Sequence, residues 1–582
     1  MSLRPTPGRE VPAATAAVAR AAFSKGNRFL DLRDALGSIF DDGRFIDLFA
    51  ACGRPAECPW RLAPVTLLQF AEDLSDRRAA DAARGRIDWK HLLALELADP
   101  GFDASALSEF RTRLVTGGAE TLLFDALLGL ARERGWLAQA RSSAHGLHPR
   151  AGRGAGPRPP RLRHREPARG LESARGRRAW LAPGPRRPGL GQPPRPGHAG
   201  DLHVPRGEAA RRAFAERVGR DGHGLLAAVM APNAPFWLRQ VPAVEVLRRV
   251  WAQTFTLDEG DGTASGADRS VVRWRSQAEG FPPSLLTVAS PYDPDVHHAK
   301  KRATTAWIGY KVHLTETCDD ARPPLVTHVA TTPAPVVDRA ALAAVHAAPA
   351  EKDLLPSRHL VDAGHLDADQ LVSGARDHGV VLVGPVPRDN QWQGRTDGAF
   401  RLEDFALDWD RRVATCPEGH KSRSWSDERD KERTVMRIRF STTDCKACPS
   451  KPRCTRAARR PLTPRPRHEH ETLVAARARE TEPAFLADRR RRAGAEGTLS
   501  LGVRTMGLRR SRHAGLAKPP LQRLVTAAAI NLVRLAAWVS DAPATQTRRS
   551  AFVRLMAGPA APAQGVRQRY PRRGRITTPL SE

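Results

Sequence analysis

HLVDAGHLDADQLVSGARDHGVVLVG, residues His359–Gly384, alternates the two periods from which layered folds are built. His359 to Gly364 reads as a short apolar strand entering a turn, and Asp367 to His378 as a helix. Gly379 to Gly384 reads as a buried strand. Upstream, Leu325 to Thr331 (LVTHVAT) reads as another strand and Val336 to Ala347 as a helix. Strands alternating with helices predict an α/β sheet. Asp362 falls at the C-terminal end of one of these strands, the edge of an open sheet where ligands and metals gather. The plainer role for an Asp in that place is a turn residue or helix cap.

The pattern extends on both sides. Trp307 to Leu314 (WIGYKVHL) reads as a strand with Lys311 and His313 on one face. Before it, SPYDPD (Ser290–Asp295) precedes His297, His298, Lys300, Lys301 and Arg302, a composition suited to a metal or phosphate. Leu521 to Val539 reads as a long buried helix, and its Arg523, Asn531 and Arg534 disfavour a bilayer span. Residues from about 28 to 140 are helical in pattern: Pro64 to Ser75, Trp89 to Leu97, and a helix opened by Asp103. Arg77, Arg78, Arg84 and Arg86 between these helices suit a DNA-binding module, with a solvated basic face on a plain bundle as the alternative.

Residues 141–200 break the pattern. They hold 14 Arg, 11 Pro and 11 Gly, so 36 of 60 residues are of three types that cannot build a core. A disordered basic linker is one reading. The genetic code gives a sharper one. Apart from Ser142, Ser143, Ser173 and Trp180, every residue here is of a type with a codon that begins in G or C. A GC-rich gene read one base out of frame leaves that signature, because its wobble base becomes the first base. Back-translating Ala144 to Ala151 from the second base permits R-T-D-S-T-H-V, and continuing permits an amphipathic, helix-like run.

Over 582 residues, Lys and Arg number 93 against 63 Asp and Glu, a net charge of +30. With a pI near 11, a polyanion is the expected partner, nucleic acid first among them. A hydrophobic share of 41% excludes wholesale disorder, and seven cysteines in this length exclude a disulfide scaffold. MSLRPTPGRE at the start has no apolar signal core, so a reducing, cytoplasmic protein is expected. Four of the cysteines stand apart: Cys416, then Cys445-x2-Cys448-x5-Cys454, with His420 nearby. Thiolates at this spacing suit four-coordinate zinc; an iron–sulfur cluster and unligated thiols are the alternatives. Glu496, in AGAEGTLS followed by VRTMGLRRSR, is an acid set among arginines, with a capping and surface ion-pair role as the plain alternative. No nucleotide-binding loop, hydrolase elbow or HExxH is present.

Several strings together resemble the bacterial insertion-sequence transposases of the DDE class. They are Gly53-Arg-Pro-Ala, Ser75-Asp-Arg-Arg-Ala-Ala-Asp and Gly85-Arg-Ile-Asp-Trp-Lys near the N-terminus, then SPYDPD, WIGYKVHLTETCD and HLVDAG. The cysteine insertion, Glu496-Gly-Thr-Leu-Ser and AAAINLVRLAAW (Ala527–Trp538) complete the set. The resemblance implies an α/β protein: an N-terminal helical DNA-binding module over 1–140 and an RNase H-like mixed sheet domain over 201–415 and 456–540. A small cysteine-rich insertion at 416–455 interrupts that domain, 141–200 is disordered and out of frame, and 541–582 is a basic tail.

It further implies that two Asp and one Glu bind two Mg²⁺ (or Mn²⁺) ions about 4 Å apart, which activate a water or 3′-hydroxyl and stabilise the leaving oxygen. The second acid would be Asp362 and the Glu would be Glu496, with Arg492, Arg504 and Lys311 contacting DNA. The first acid belongs to a T-D-S strand that nothing in frame supplies, and Asp293 and Asp295 accompany that acid in the family instead of replacing it. The expected activity is cleavage and strand transfer at the element's terminal inverted repeats by a homodimer, with this copy inactive. Rival readings are a DNA-binding repressor of the element, a nuclease without strand transfer, and a degenerate product that does not fold.

Overall fold

The computed structural model describes residues 2–5, 10–137, 142–151, 207–259, 270–280, 282–302, 305–388, 391–430, 433–511 and 518–541. Seven helices come first: α1 (Ala13–Ala22), α2 (Arg28–Leu36), α3 (Pro59–Ala71), α4 (Asp76–Gly85), α5 (Ile87–Leu92), α6 (Ser105–Thr116) and α7 (Leu122–Glu133). Local chemistry sets their ends. Asn27 caps α2 by accepting from the Phe29 amide at 2.8 Å, and Gly37, at φ 69°, stops it. Ser75 caps α4 by accepting from the Arg78 amide. In α3 every residue from Pro59 to Phe70 is buried, which marks a helix surrounded on all sides.

The main sheet runs β6 (Val326–Pro333), β5 (Thr305–Thr317), β1 (Ser142–Ala151), β7 (Arg358–Leu360), β8 (Val381–Val383), with β4 (His297–Arg302) also pairing with the start of β5. β1 is antiparallel to β5, from Ser143 opposite Thr317 to Ala151 opposite Gly309, and parallel to β7. β7 and β8 are parallel. The expected α/β class holds: the sheet is mixed and its order places β1 at the centre.

Between β1 and β4 lie α8 (Glu208–Met230), α9 (Pro242–Thr254) and the hairpin β2 (Phe255–Glu259) and β3 (Ser270–Trp274). Helices α10 (Asp338–Ala350) and α11 (Ala368–His378) cover one face of the sheet; Leu342, Val361, Leu371 and Leu382 pack there. Short strands β9 (Ala406–Asp408), β10 (Val413–Thr415), β11 (Ser424–Asp430), β12 (Arg433–Arg439) and β13 (Pro461–Leu462) form a small unit around Phe405, Ile438 and Phe440. That unit also holds α12 (Thr442–Ala447) and α13 (Lys451–Cys454), and its strands β9, β10 and β13 lie outside 416–455. After α14 (Arg467–Arg479), α15 (Pro483–Thr505) and α16 (Lys518–Val539) cover the second face.

Two sequence expectations change. The start of the Arg/Pro/Gly-rich stretch is the central strand, because a strand paired on both edges is held by main-chain hydrogen bonds that do not depend on side-chain type. Residues 141 and 152–200 of that stretch, and the tail from 542, lie outside the described residues. The N-terminal helices also share their core with the rest of the fold. Leu521, Val525, Ala528, Leu532 and Leu535 of α16 share one core with Phe29, Leu67, Leu68 and Leu127 of the bundle and with Val312, Leu314 and Val326 of the sheet. Asn531 adds a polar clamp: its side-chain amide donates to the Val326 carbonyl and accepts from the Val326 amide, both at 2.8 Å. Among the described residues no helix is long and apolar enough to cross a membrane.

Candidate active site

The parallel pairing of β1 and β7 sets Ser142, Ser143 and Ala144 level with Arg358, His359 and Leu360. Two residues further stand Gly146 on β1 and Asp362 just past β7. Strand periodicity therefore points position 146 and Asp362 to the same face. Ala144, Leu360 and Ala495 pack together on that face, which places α15 over it. Asp362 closes its strand by accepting from the Gly364 amide at 3.1 Å and from the His365 ring.

On α15, Arg492 and Glu496 are one turn apart. Arg492 Nη1 donates to Glu496 Oε1 at 2.9 Å, and its Nη2 lies 3.8 Å from Asp362 Oδ2. One guanidinium thus bridges the two sequence-predicted acids. Position 146 has no side chain, and a Cβ there would meet Leu499 Cδ1 of α15 at 2.6 Å. Two carboxylates held by an arginine, with no oxygen from the third position, do not make a two-magnesium site.

A family model described as a transposase DDE domain matches residues 415–536, and one described as a transposase domain (DUF772) matches residues 19–113. The two matches support an insertion-sequence DDE transposase. No curated protein and no solved structure matches it. The matched stretches contain Glu496, the cysteines and most of the N-terminal bundle of this transposase. They leave out β1 and Asp362, so the standing of Asp362 rests on its register and its link through Arg492.

The transposase's other predicted residues divide. Arg504 is exposed on α15. Lys311 is not a surface cation: its ammonium is turned inward, 2.6 Å from Asp338 Oδ1 and 2.7 Å from the Val336 carbonyl, because α10 packs over that face of β5. Asp293 is buried and accepts from the Tyr310 hydroxyl at 3.0 Å, apart from the acid pair. In the N-terminal bundle Arg77, Arg78 and Arg84 are exposed, whereas Arg86 is tied to Glu72 and Asp88.

The four cysteines of the insertion line one small pocket with Phe400, Phe405, Phe440 and His420. Cys416 opens a tight turn in which its amide donates to the His420 carbonyl at 2.9 Å and its carbonyl accepts from the Gly419 amide at 2.8 Å. Burial, reinforced by the three neighbouring thiols, pushes the Cys454 thiol up to about 11. The residues lining that pocket are of the chemical type a thiophilic metal takes.

Sequence reasoning missed the opposite face of β1. His145, His313 and His365 are all buried there, with candidate ligand atoms within 4.8 Å of one another. Burial, with the neighbouring imidazoles, holds His145 far below the usual histidine range, and His313 falls to about 3 for the same reasons. The only signal was His313 on a strand face; its companions are on other elements, far away in sequence.

Proposed function

We propose that this transposase descends from an enzyme that binds the ends of its element as a homodimer and cuts and rejoins double-stranded DNA by Mg²⁺-dependent phosphoryl transfer. The chain as written is catalytically silent for want of its first acid. The observation that carries this reading is the level of Gly146 with Asp362. In the alternate frame, the Asp of R-T-D-S-T-H-V is encoded across the Gly146 and Leu147 codons. The one place on the sheet where a third carboxylate would complete the acid pair is the place where the other frame writes it.

Asp362 and Glu496 would then be the two surviving ligands, and Arg492 is the cation that pairs with both. Arg504, with the exposed arginines of the N-terminal bundle, would contact DNA phosphate, and such contacts set affinity and salt dependence. The cysteine pocket would hold zinc as a structural ion that stiffens the insertion, with Cys416, Cys445, Cys448 and Cys454 as ligands. We place the protein in the reducing cytoplasm. Against a repressor made of residues 1–140 alone stands the core those helices share with α16.

The test is a paired assay on terminal-repeat DNA with Mg²⁺. The chain as written should give no cleavage or joined product. The chain with the frame restored across 141–200 should gain both, by orders of magnitude, and lose them again in Asp362→Ala. Mg²⁺-dependent nicking by the unrestored chain that disappears in Asp362→Ala would overturn the proposal.

A further inference from the structure

We infer that His145, His313 and His365 form a three-imidazole site for a transition-metal dication of the zinc class, buried behind the acid pair. The outer nitrogen of each ring lies beside an oxygen. His145 Nδ1 lies 3.2 Å from Thr315 Oγ1, His313 Nε2 lies 3.0 Å from Thr332 Oγ1, and His365 Nδ1 is bonded to Asp362 Oδ1. Every outer nitrogen therefore has an oxygen to which it can donate. The Asp362 carboxylate can only accept, and the two threonine hydroxyls can accept, so the arrangement permits the tautomer in which the inner nitrogen of each ring keeps a lone pair. It is the pattern found behind metal-binding histidines, where the second ring nitrogen donates to a carboxylate, hydroxyl or carbonyl.

The inner nitrogens then face one another. His145 Nε2 and His313 Nδ1 are 3.3 Å apart. In the metal-free protein one ring can donate to the other across that gap; with both outer nitrogens protonated, two lone pairs converge there on the place a cation would take. A tetrahedral ion with metal–nitrogen bonds of about 2.0–2.1 Å sets its ligand nitrogens about 3.3–3.4 Å apart. His365 Nε2 is buried and makes no hydrogen bond, the cost of which a metal would remove. Its ring stands edge-on to His145 with centroids 4.6 Å apart.

Class follows from chemistry. Three neutral imidazoles in an enclosed pocket suit zinc, cobalt, nickel or copper, and are poor ligands for Mg²⁺, which demands oxygen and retains its waters. The site is also specific to the frame. In the alternate frame the residue aligned with His145 is the Thr of R-T-D, so one frame supplies an imidazole to one face of β1 and the other supplies a carboxylate to the opposite face. The inference does not rest on that carboxylate ever having bound a metal.

The experiment is a Co²⁺ titration of the full chain, stripped first with a chelator. Cobalt in the cysteine pocket gives a near-ultraviolet sulfur-to-cobalt band; cobalt on three imidazoles gives visible absorption without it. The expected result is a visible component that survives Cys448→Ser and excess Mg²⁺ but is lost in His365→Ala and in the frame-restored chain. Asp362→Asn, which keeps the shape but weakens the acceptor behind His365, should reduce affinity about 10–100-fold. If His365→Ala fails to fold, Asp362→Asn decides. A folded chain that shows only sulfur-ligated cobalt, or a visible component unchanged by Asp362→Asn, would overturn the inference.

Discussion

The two faces of β1 are one residue apart and chemically opposite. Gly146 looks toward α15, where Asp362 and Glu496 share Arg492 and a side-chain position is blank. His145 looks toward α10 and α11 into a closed group of neutral imidazoles. The α15 face has its charges and lacks a ligand; the opposite face has neutral imidazole ligands, and its charges are already paired between Lys311 and Asp338. A strand inherits its place from main-chain pairing, while what it can do depends on which residues its side-chain alternation sends to each side.

The largest effect expected on the α15 face outside catalysis concerns Glu316, which is level with Ala144 across the β1–β5 pairing. Its buried carboxylate accepts from Thr498 Oγ1 at 2.6 Å and from Arg534 Nη1 at 2.9 Å, tying β5 to α15 and α16. Glu316→Gln leaves Arg534 without its counter-charge, and denaturant unfolding should show a loss of about 3–5 kcal/mol. A loss below 1 kcal/mol would mean that this face is not organised by charge.

The histidine face should announce itself through pH. Burial pulls His328 and His346 down to about 4. In the unfolded chain both bind protons as pH falls through the ordinary histidine value near 6.5. The folded chain resists until about pH 4, so the stability they carry is complete above 6.5 and is lost as pH falls from there toward 4. Urea midpoints measured from pH 7.5 to 4.5 should decline, and the slope should be shallower in His328→Gln. An unchanged slope would take His328 out of the account.

The smallest effect separates the faces at their boundary. Gly146→Ala forces its new methyl onto Leu499 and should destabilise by about 1–3 kcal/mol. In a Leu499→Ala background that cost should vanish, a coupling that thermal melts of the four proteins would read directly. Additive losses would mean that α15 does not press on β1 at this point.

Much of the sheet was legible in the sequence, because Leu360, Val380 and Leu382 follow strand and helix periods that burial enforces. Asp362 and Glu496 were legible by resemblance. β1 was not: its composition argues against a core, and nothing in Ser142–Ala151 signals that both neighbours offer free edges. The shared core was missed because the buried residues of α16 identify a buried helix and not its partners. The histidines were missed for a similar reason. A lone imidazole on an apolar face reads as packing until the fold brings three together.

The insertion of α16 into the N-terminal bundle has a consequence in time. The first 137 residues leave the ribosome with a groove between α2, α3 and α7 that only α16 fills, and α16 begins at residue 518. At a synthesis rate of 5–20 residues per second, that groove is open for on the order of 20–80 s. The nascent bundle then shows apolar surface to solvent while its exposed arginines are already displayed. Protease sensitivity of stalled nascent chains should therefore persist past residue 137 and end only once α16 has emerged; early protection would show that the bundle closes without it.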